Sequence, residues 1–200
     1  MLLSNVNCEP HDNSDSMMVW LSEDDVDQLL DAAKDTERRV AFALGARCGL
    51  RSHEILEVSP DDLVDTQAGH MLIVKHGKGD KYRETPIPNQ LVTQIETIDD
   101  YRDDSSDSPI LSVDNTNSLR YWIKTTREQL AEETGDDRWH YVSMHDLRRT
   151  WATSLDNKSV DAMVVCDWGG WHDLDTFLDH YRGTNSPEAQ RRERAKVDWL

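Results

Sequence analysis

Long apolar runs are missing from this chain of 200 residues. No stretch of about 18 apolar residues occurs, which excludes a membrane-spanning helix. The opening stretch, MLLSNVNCEPHD, has no basic region and no long apolar core, so it does not read as a signal peptide. Cysteine is scarce: Cys8, Cys48 and Cys166 form an odd number without C-x-x-C spacing. That argues against a disulfide framework and a thiolate metal site, and for a reducing compartment. A cytoplasmic location is the expectation. No G-x-x-x-x-G-K-[ST] stretch is present to cradle a nucleotide phosphate. Basic residues are short too, 22 Lys and Arg against 39 Asp and Glu, for a net charge of −17.

What is present bounds the answer further. At 37% hydrophobic, the chain can bury a core, and its length suits one domain with short appendages. Of the acids, 27 are Asp and 12 are Glu, and they are spread along the whole chain. A scattered acidic shell fits adaptation to molar salt, where the Debye length falls to about 3 Å. Charge alone speaks against a nucleic-acid partner; local motifs point the other way.

The pattern predicts a mostly helical α+β fold with one small antiparallel sheet. Residues 1–19 read as an irregular lead-in. LSEDDVDQLLDAA starts a helix with Ser22 as N-cap, acids in the first turn and one apolar face through Val26, Leu29, Leu30 and Ala33. RRVAFALGARC continues as a second helix ending at Gly49, and SHEILEV restarts a short one capped by Ser52. HMLIVKHGKGDKYRETPIP reads as a β-hairpin closed by Pro86 and Pro88. Further helices are predicted at NQLVTQIETIDDY, NSLRYWIKTTREQLAEETG, SMHDLRRTWATSL with Ser143 as N-cap, and SVDAMVVCDWGG, read as buried. Pro187 suits the first turn of a final charged helix.

Four short stretches could carry chemistry. In HDLRR, His145 and Arg148 lie three apart on a first helical turn and share a face. That end of a helix favours anions, and an Arg there grips a phosphate with two hydrogen bonds. In GLRSHEIL, Arg51 sits at a tight corner with Glu54 three residues on to orient it. In HGKGDKYR, Lys78 stands between two glycines at a hairpin tip, an accessible proton donor. In GGWH, His172 follows a helix stop, and Tyr181, an oxygen nucleophile, lies nine residues later. Each signal alone is compatible with an ordinary surface group or a core aromatic.

Their order is more specific. Gly-Leu-Arg-x-x-Glu, a Gly-Lys-Gly hairpin, His-x-x-Arg, Gly-x-His and a Tyr at plus nine resemble the tyrosine recombinase (phage-type integrase) family over residues 20–182. The resemblance implies that family's catalytic-domain fold and six catalytic residues: Arg51, Lys78, His145, Arg148, His172 and Tyr181. Lys75 and Lys81 are alternatives for the Lys, less favoured because the family's Lys sits between the glycines. Glu54 would support the site, and Trp168 and Trp171 would pack the junction before His172. Arg51 and Arg148 would clamp the scissile phosphate, and Tyr181 would attack it to form a 3′-phosphotyrosyl link. No cofactor and no metal are implied. Arg47, Lys81, Arg83 and Arg149 are expected on a DNA-facing side, with the acids on the far side.

The chain departs from the family in two respects, its acidity and the few residues before position 20. The expected domains are thus a lead-in at 1–19, a catalytic domain at 20–182 and a tail helix at 183–200, with the family's N-terminal core-binding domain absent. The expected partner is a double-stranded DNA target site, with a monomer in free solution, a tetramer on DNA and no membrane. Site-specific recombination for integration, excision or inversion is the leading expectation. Topoisomerase IB-like relaxation and a non-catalytic DNA-binding regulator are the alternatives.

Overall fold

The computed structural model describes residues 6–10, 17–75, 82–102, 105–180 and 187–199. Lys78, Lys81 and Tyr181 lie outside the described residues.

Two described stretches of residues 6–20 form strands. β1 (Asn7–Pro10) and β2 (Met17–Trp20) pair antiparallel, Asn7 opposite Trp20 and Pro10 opposite Met17. Four-residue strands carry little periodic signal, and what fixes β2 is remote in sequence. Its Val19 N–H donates to Asp146 Oδ1 at 3.2 Å, and the Leu21 N–H to Thr150 Oγ1 at 2.9 Å.

α1 (Glu23–Asp31) begins where expected, with Ser22 and Asp25 forming a reciprocal capping box. α2 (Thr36–Cys48) is the central helix. Its residues from Val40 to Ala46 are all buried, and Gly49 ends it in the left-handed conformation at φ 70°. α3 is only Ser52–Ile55, and its N-cap is Arg51 rather than Ser52. The shift by one residue has a cause: the Glu54 carboxylate folds back and accepts the Arg51 N–H at 2.7 Å.

A three-stranded antiparallel sheet follows, in the order β3 (Leu63–Thr66), β4 (Gly69–Val74), β5 (Arg83–Pro86). β4 and β5 form the expected hairpin, with Val74 opposite Arg83. β3 is an addition to the expected pair. Its turn lacks an Asn-Gly or Asp-Gly pair and is closed instead by Thr66, whose hydroxyl donates to Gly69 O at 2.8 Å.

α4 (Asn89–Asp100), α5 (Thr116–Thr134), α6 (Met144–Asn157), α7 (Ala162–Gly169), α8 (Leu174–His180) and α9 (Pro187–Arg194) complete the chain. Ser143 caps α6 together with Asp146. α7 is only half buried: Val165 and Cys166 face inward, while Met163 and Val164 are exposed. The main apolar core surrounds α2 and extends to Leu147 of α6. A second cluster joins α6, α7 and α8 through Trp151, Ala152, Val165, Cys166, Trp171 and Phe177. The corner after α2 meets that second cluster. A Cβ on Gly49 would fall 2.3 Å from the Trp151 ring, so both φ and space demand glycine there.

Candidate active site

Three helix boundaries converge where the two clusters meet: the corner after α2, the N-terminus of α6 and the corner after α7. Arg148, near the start of α6, ties them together. It is 1% exposed, and it donates from Nη1 to Gly49 O and from Nη2 to Gly169 O, the latter at 2.6 Å. Gly49 and Gly169 stand at the C-terminal ends of α2 and α7. Helix C-termini leave carbonyls unpaired and carry partial negative charge. Two such ends therefore compensate one buried cation. The guanidinium also lies 4.3 Å from the centroid of the Trp171 ring, a cation–π contact. Trp171 in turn stacks on Trp151 at 5.9 Å and tilts against Phe177 at 5.1 Å. Trp168, half-buried, packs against the same cluster of which Trp171 is a buried member.

Glu54 is the second hub. Its carboxylate is 2% exposed and takes four hydrogen bonds. Oε1 accepts from Arg51 Nη1 at 2.8 Å and Arg83 Nη1 at 2.7 Å. Oε2 accepts from the Arg51 N–H at 2.7 Å and Arg83 Nη2 at 2.8 Å. Burial pushes this carboxyl upward. The hydrogen bonds and charges of Arg83 and Arg51 outweigh it and hold the group at about 2, so Glu54 is a fixed anion. Arg51 is the more open guanidinium of the two, with 18% of its side chain exposed against 6% for Arg83.

His145 is exposed on the first turn of α6, on the same face as Arg148. His172 is exposed beyond the α7 corner, its Nδ1 3.4 Å from Asp173 Oδ2. Asp173 accepts the Thr176 N–H at 2.7 Å and so starts α8. Arg51 and Glu54, through Arg83, and Arg148 directly are joined to the 168–171 corner by a continuous chain of contacts. Lys78 sits on the segment between β4 and β5, and Tyr181 follows α8.

Of the basic residues expected to face DNA, the described three, Arg47, Arg83 and Arg149, have carboxylate partners within the protein. Arg83 points inward onto Glu54 and also donates from Nε to Trp168 O at 2.9 Å. Arg149 is buried and pairs with Asp146. Arg47 is held by Glu23 and by Asp27, the latter at 2.9 Å. In so acidic a chain, each of these guanidiniums finds a carboxylate partner, Arg83 sharing Glu54 with Arg51. Asp146, between His145 and Arg148, is a buried hub that the motif reading passes over. Burial pushes its carboxyl up, against opposing contacts from Ser143, Arg149 and the Val19 N–H. Its partners are 3 to 127 residues away, and only the near ones leave a sequence signal. Among the described residues, no group of three His, Cys, Asp or Glu side chains is placed to hold a metal ion. No helix among them is long and apolar enough to cross a membrane.

The family model described as "Phage integrase family" matches residues 19–187. The chain belongs to the phage integrase family. The tyrosine recombinase XerA of Thermococcus kodakarensis is 29% identical over 182 residues, covering 88% of this chain and 62% of that protein. The crystal structure of XerA recombinase superimposes with a TM-score of 0.72 at 23% identity, covering 89% of this chain and 64% of that one. XerH site-specific recombinase, in a post-cleavage complex with a palindromic difH substrate, gives a TM-score of 0.67 at 20% identity, over 90% of this chain and 52% of that one. The chain thus spans somewhat less than two thirds of the length of these relatives. The fold expected from the sequence, mostly helical with a small antiparallel β component, is the fold of these relatives.

Proposed function

We propose that this phage integrase family chain cleaves and rejoins double-stranded DNA at specific sites through a covalent phosphotyrosine. The observation that supports the reading most directly is the set of Arg51, Glu54 and Arg148, linked through Arg83 and the α7 corner. Cleaving a phosphodiester requires charge stabilisation on the nonbridging oxygens, an in-line nucleophile and a proton for the leaving oxygen. Arg51 and Arg148 supply the fixed positive charge, and His172 adds a hydrogen bond to the same phosphate. Tyr181 Oη attacks phosphorus, a bond forms between them, and the bond to the 5′ oxygen breaks. His145 accepts the tyrosine proton, and Lys78 gives a proton to the departing 5′ oxygen. A free tyrosine has a pKa near 10, and on this reading the cations that hold the phosphate favour its anion. The phosphotyrosyl ester keeps the bond energy, so rejoining needs only attack by a 5′ hydroxyl with the same groups in reverse.

XerH is described bound to a palindromic substrate, and we infer a two-fold arrangement of DNA half-sites for this chain also. On DNA it assembles as a tetramer, and in free solution it is a monomer. The net charge of −17 supports a cytoplasm rich in salt as its working medium.

The test uses nicked suicide duplexes drawn from the DNA flanking the chain's own gene, in about 2 to 4 M KCl, a range in which exposed charges are screened within a few ångströms. The expected result is a denaturant-resistant protein–DNA adduct with the wild type and none with Tyr181→Phe. Binding of the same duplexes without any adduct would contradict the cleavage reading and leave a DNA-binding role.

A further inference from the structure

Arg83 lies outside the set just assigned to chemistry, and all three of its guanidinium nitrogens are engaged. Its three donor positions reach two different elements from a third. Nη1 and Nη2 make parallel hydrogen bonds of 2.7 and 2.8 Å to the two oxygens of Glu54, in α3. Nε donates to the carbonyl of Trp168 in α7 at 2.9 Å. Arg83 itself is the first residue of β5. The α7 corner closes tightly on its stem: Gly170 has φ 65°, and a Cβ there would stand 2.8 Å from Arg83 Cδ.

A buried ion pair is poor evidence of stabilisation, because desolvation offsets most of the attraction. A bidentate pair with a third directed bond fixes geometry instead. Glu54 divides each of its oxygens between Arg83 and Arg51. Without Arg83, the carboxylate would be free to turn its whole charge onto Arg51 and draw that guanidinium away from a phosphate. The Trp168 carbonyl, four residues before His172, would lose its anchor as well.

We propose that Arg83 is a positioning residue of the cleavage site, orienting Arg51 through Glu54 and the His172 corner through the carbonyl of Trp168. This rests on the cleavage reading above and assigns Arg83 no contact with DNA. A Lys keeps the charge but has one compact head, and it cannot make two parallel bonds and a third to a separate carbonyl. The conservative variant therefore separates charge from geometry.

The experiment compares wild type, Arg83→Lys and Gly170→Ala on nicked suicide duplexes, with thermal unfolding and DNA affinity measured on each protein. Each duplex is made twice, with an ordinary phosphodiester and with a neutral methylphosphonate at the scissile position. We expect Arg83→Lys to bind DNA as tightly as wild type and to form the adduct about 100-fold more slowly on the phosphodiester, the scale of loss for a misplaced reacting group. On methylphosphonate, which has no anionic nonbridging oxygen to clamp, the deficit should shrink to a few-fold. Gly170→Ala, which keeps the Arg83 side chain but crowds its stem and so displaces the guanidinium, should show the same selective loss if Arg83→Lys does not fold. Wild-type rates in both variants, or equal losses on both linkages, would overturn the proposal. Absence of an adduct in the wild-type lane would instead remove the cleavage reading, and the proposal with it.

Discussion

At the scale of single residues, the site is built from buried charges whose partners are supplied by the protein. Glu54 shows what this costs and contributes. Its carboxyl is held at about 2 against an ordinary 4.5. A depressed acid adds stability that is present above the unfolded-state value and lost as pH falls through the folded one. The window is therefore pH 4.5 down to about 2. The contribution at neutral pH is on the order of 3 kcal/mol. Glu54→Gln should abolish that part of the acid dependence, visible as a shallower fall in unfolding free energy over this window. At pH 7 it should also cost about 3–5 kcal/mol, because Arg83 is left as a buried charge without its counter-ion. Denaturant titration at several pH values measures both. An unchanged acid slope in Glu54→Gln would mean that other carboxylates carry it.

At the scale of elements, helix ends position the site. α2 and α7 each end on a glycine corner, and α6 begins between them with Arg148 reaching both. Gly49→Ala should be severely destabilising. Left-handed backbone costs a non-glycine residue about 1–2 kcal/mol, and the new methyl would meet the Trp151 ring at 2.3 Å. We expect a fall in Tm well beyond that of an ordinary surface change, with near-ultraviolet circular dichroism reporting displaced tryptophans. α6 also anchors the chain around strand β2, where the Val19 and Leu21 N–H groups are taken by Asp146 and Thr150. Thr150→Val should cost about 1–3 kcal/mol, the penalty for a buried donor left unpaired. Hydrogen exchange at the Leu21 amide should accelerate in parallel, and protection equal to wild type would show that water or another group replaces the hydroxyl.

At the scale of the whole molecule, charge balance dominates. A net charge of −17 is self-repulsive at low ionic strength. Glu23 illustrates the local remedy. Partial burial raises its carboxyl, but hydrogen bonds from Lys158, Arg47 and Ser154 outweigh that and bring it to about 2. Such exposed clusters are worth little once screened, whereas relief of the overall repulsion grows with salt. Tm should therefore rise between about 0.1 and 2 M KCl, a span over which the Debye length falls from about 10 Å to below 3 Å. A flat or falling Tm would argue that paired charges outweigh the net excess.

The helices with strong periodicity and caps were legible in the sequence: α1 behind Ser22, α6 behind Ser143, and the stops at Gly49 and Gly170. Local rules govern them, since a cap and its hydrogen-bond partner lie within five residues. The hairpin of β4 and β5 and the order of the basic, imidazole and tyrosine motifs were legible for the same reason. Strands β1, β2 and β3 were not. They are short, and β2 is held by side chains from a helix more than a hundred residues away. The inward turn of Arg83 was equally hidden, because its partners are Glu54, 29 residues back, and Trp168, 85 residues on. The sequence by itself determined which residue types are available for phosphate chemistry and in what order they occur. Only the tertiary structure decided which arginine stays open and which are spent inside. A buried guanidinium must be paired, and its partner is chosen by what the fold brings within hydrogen-bond reach.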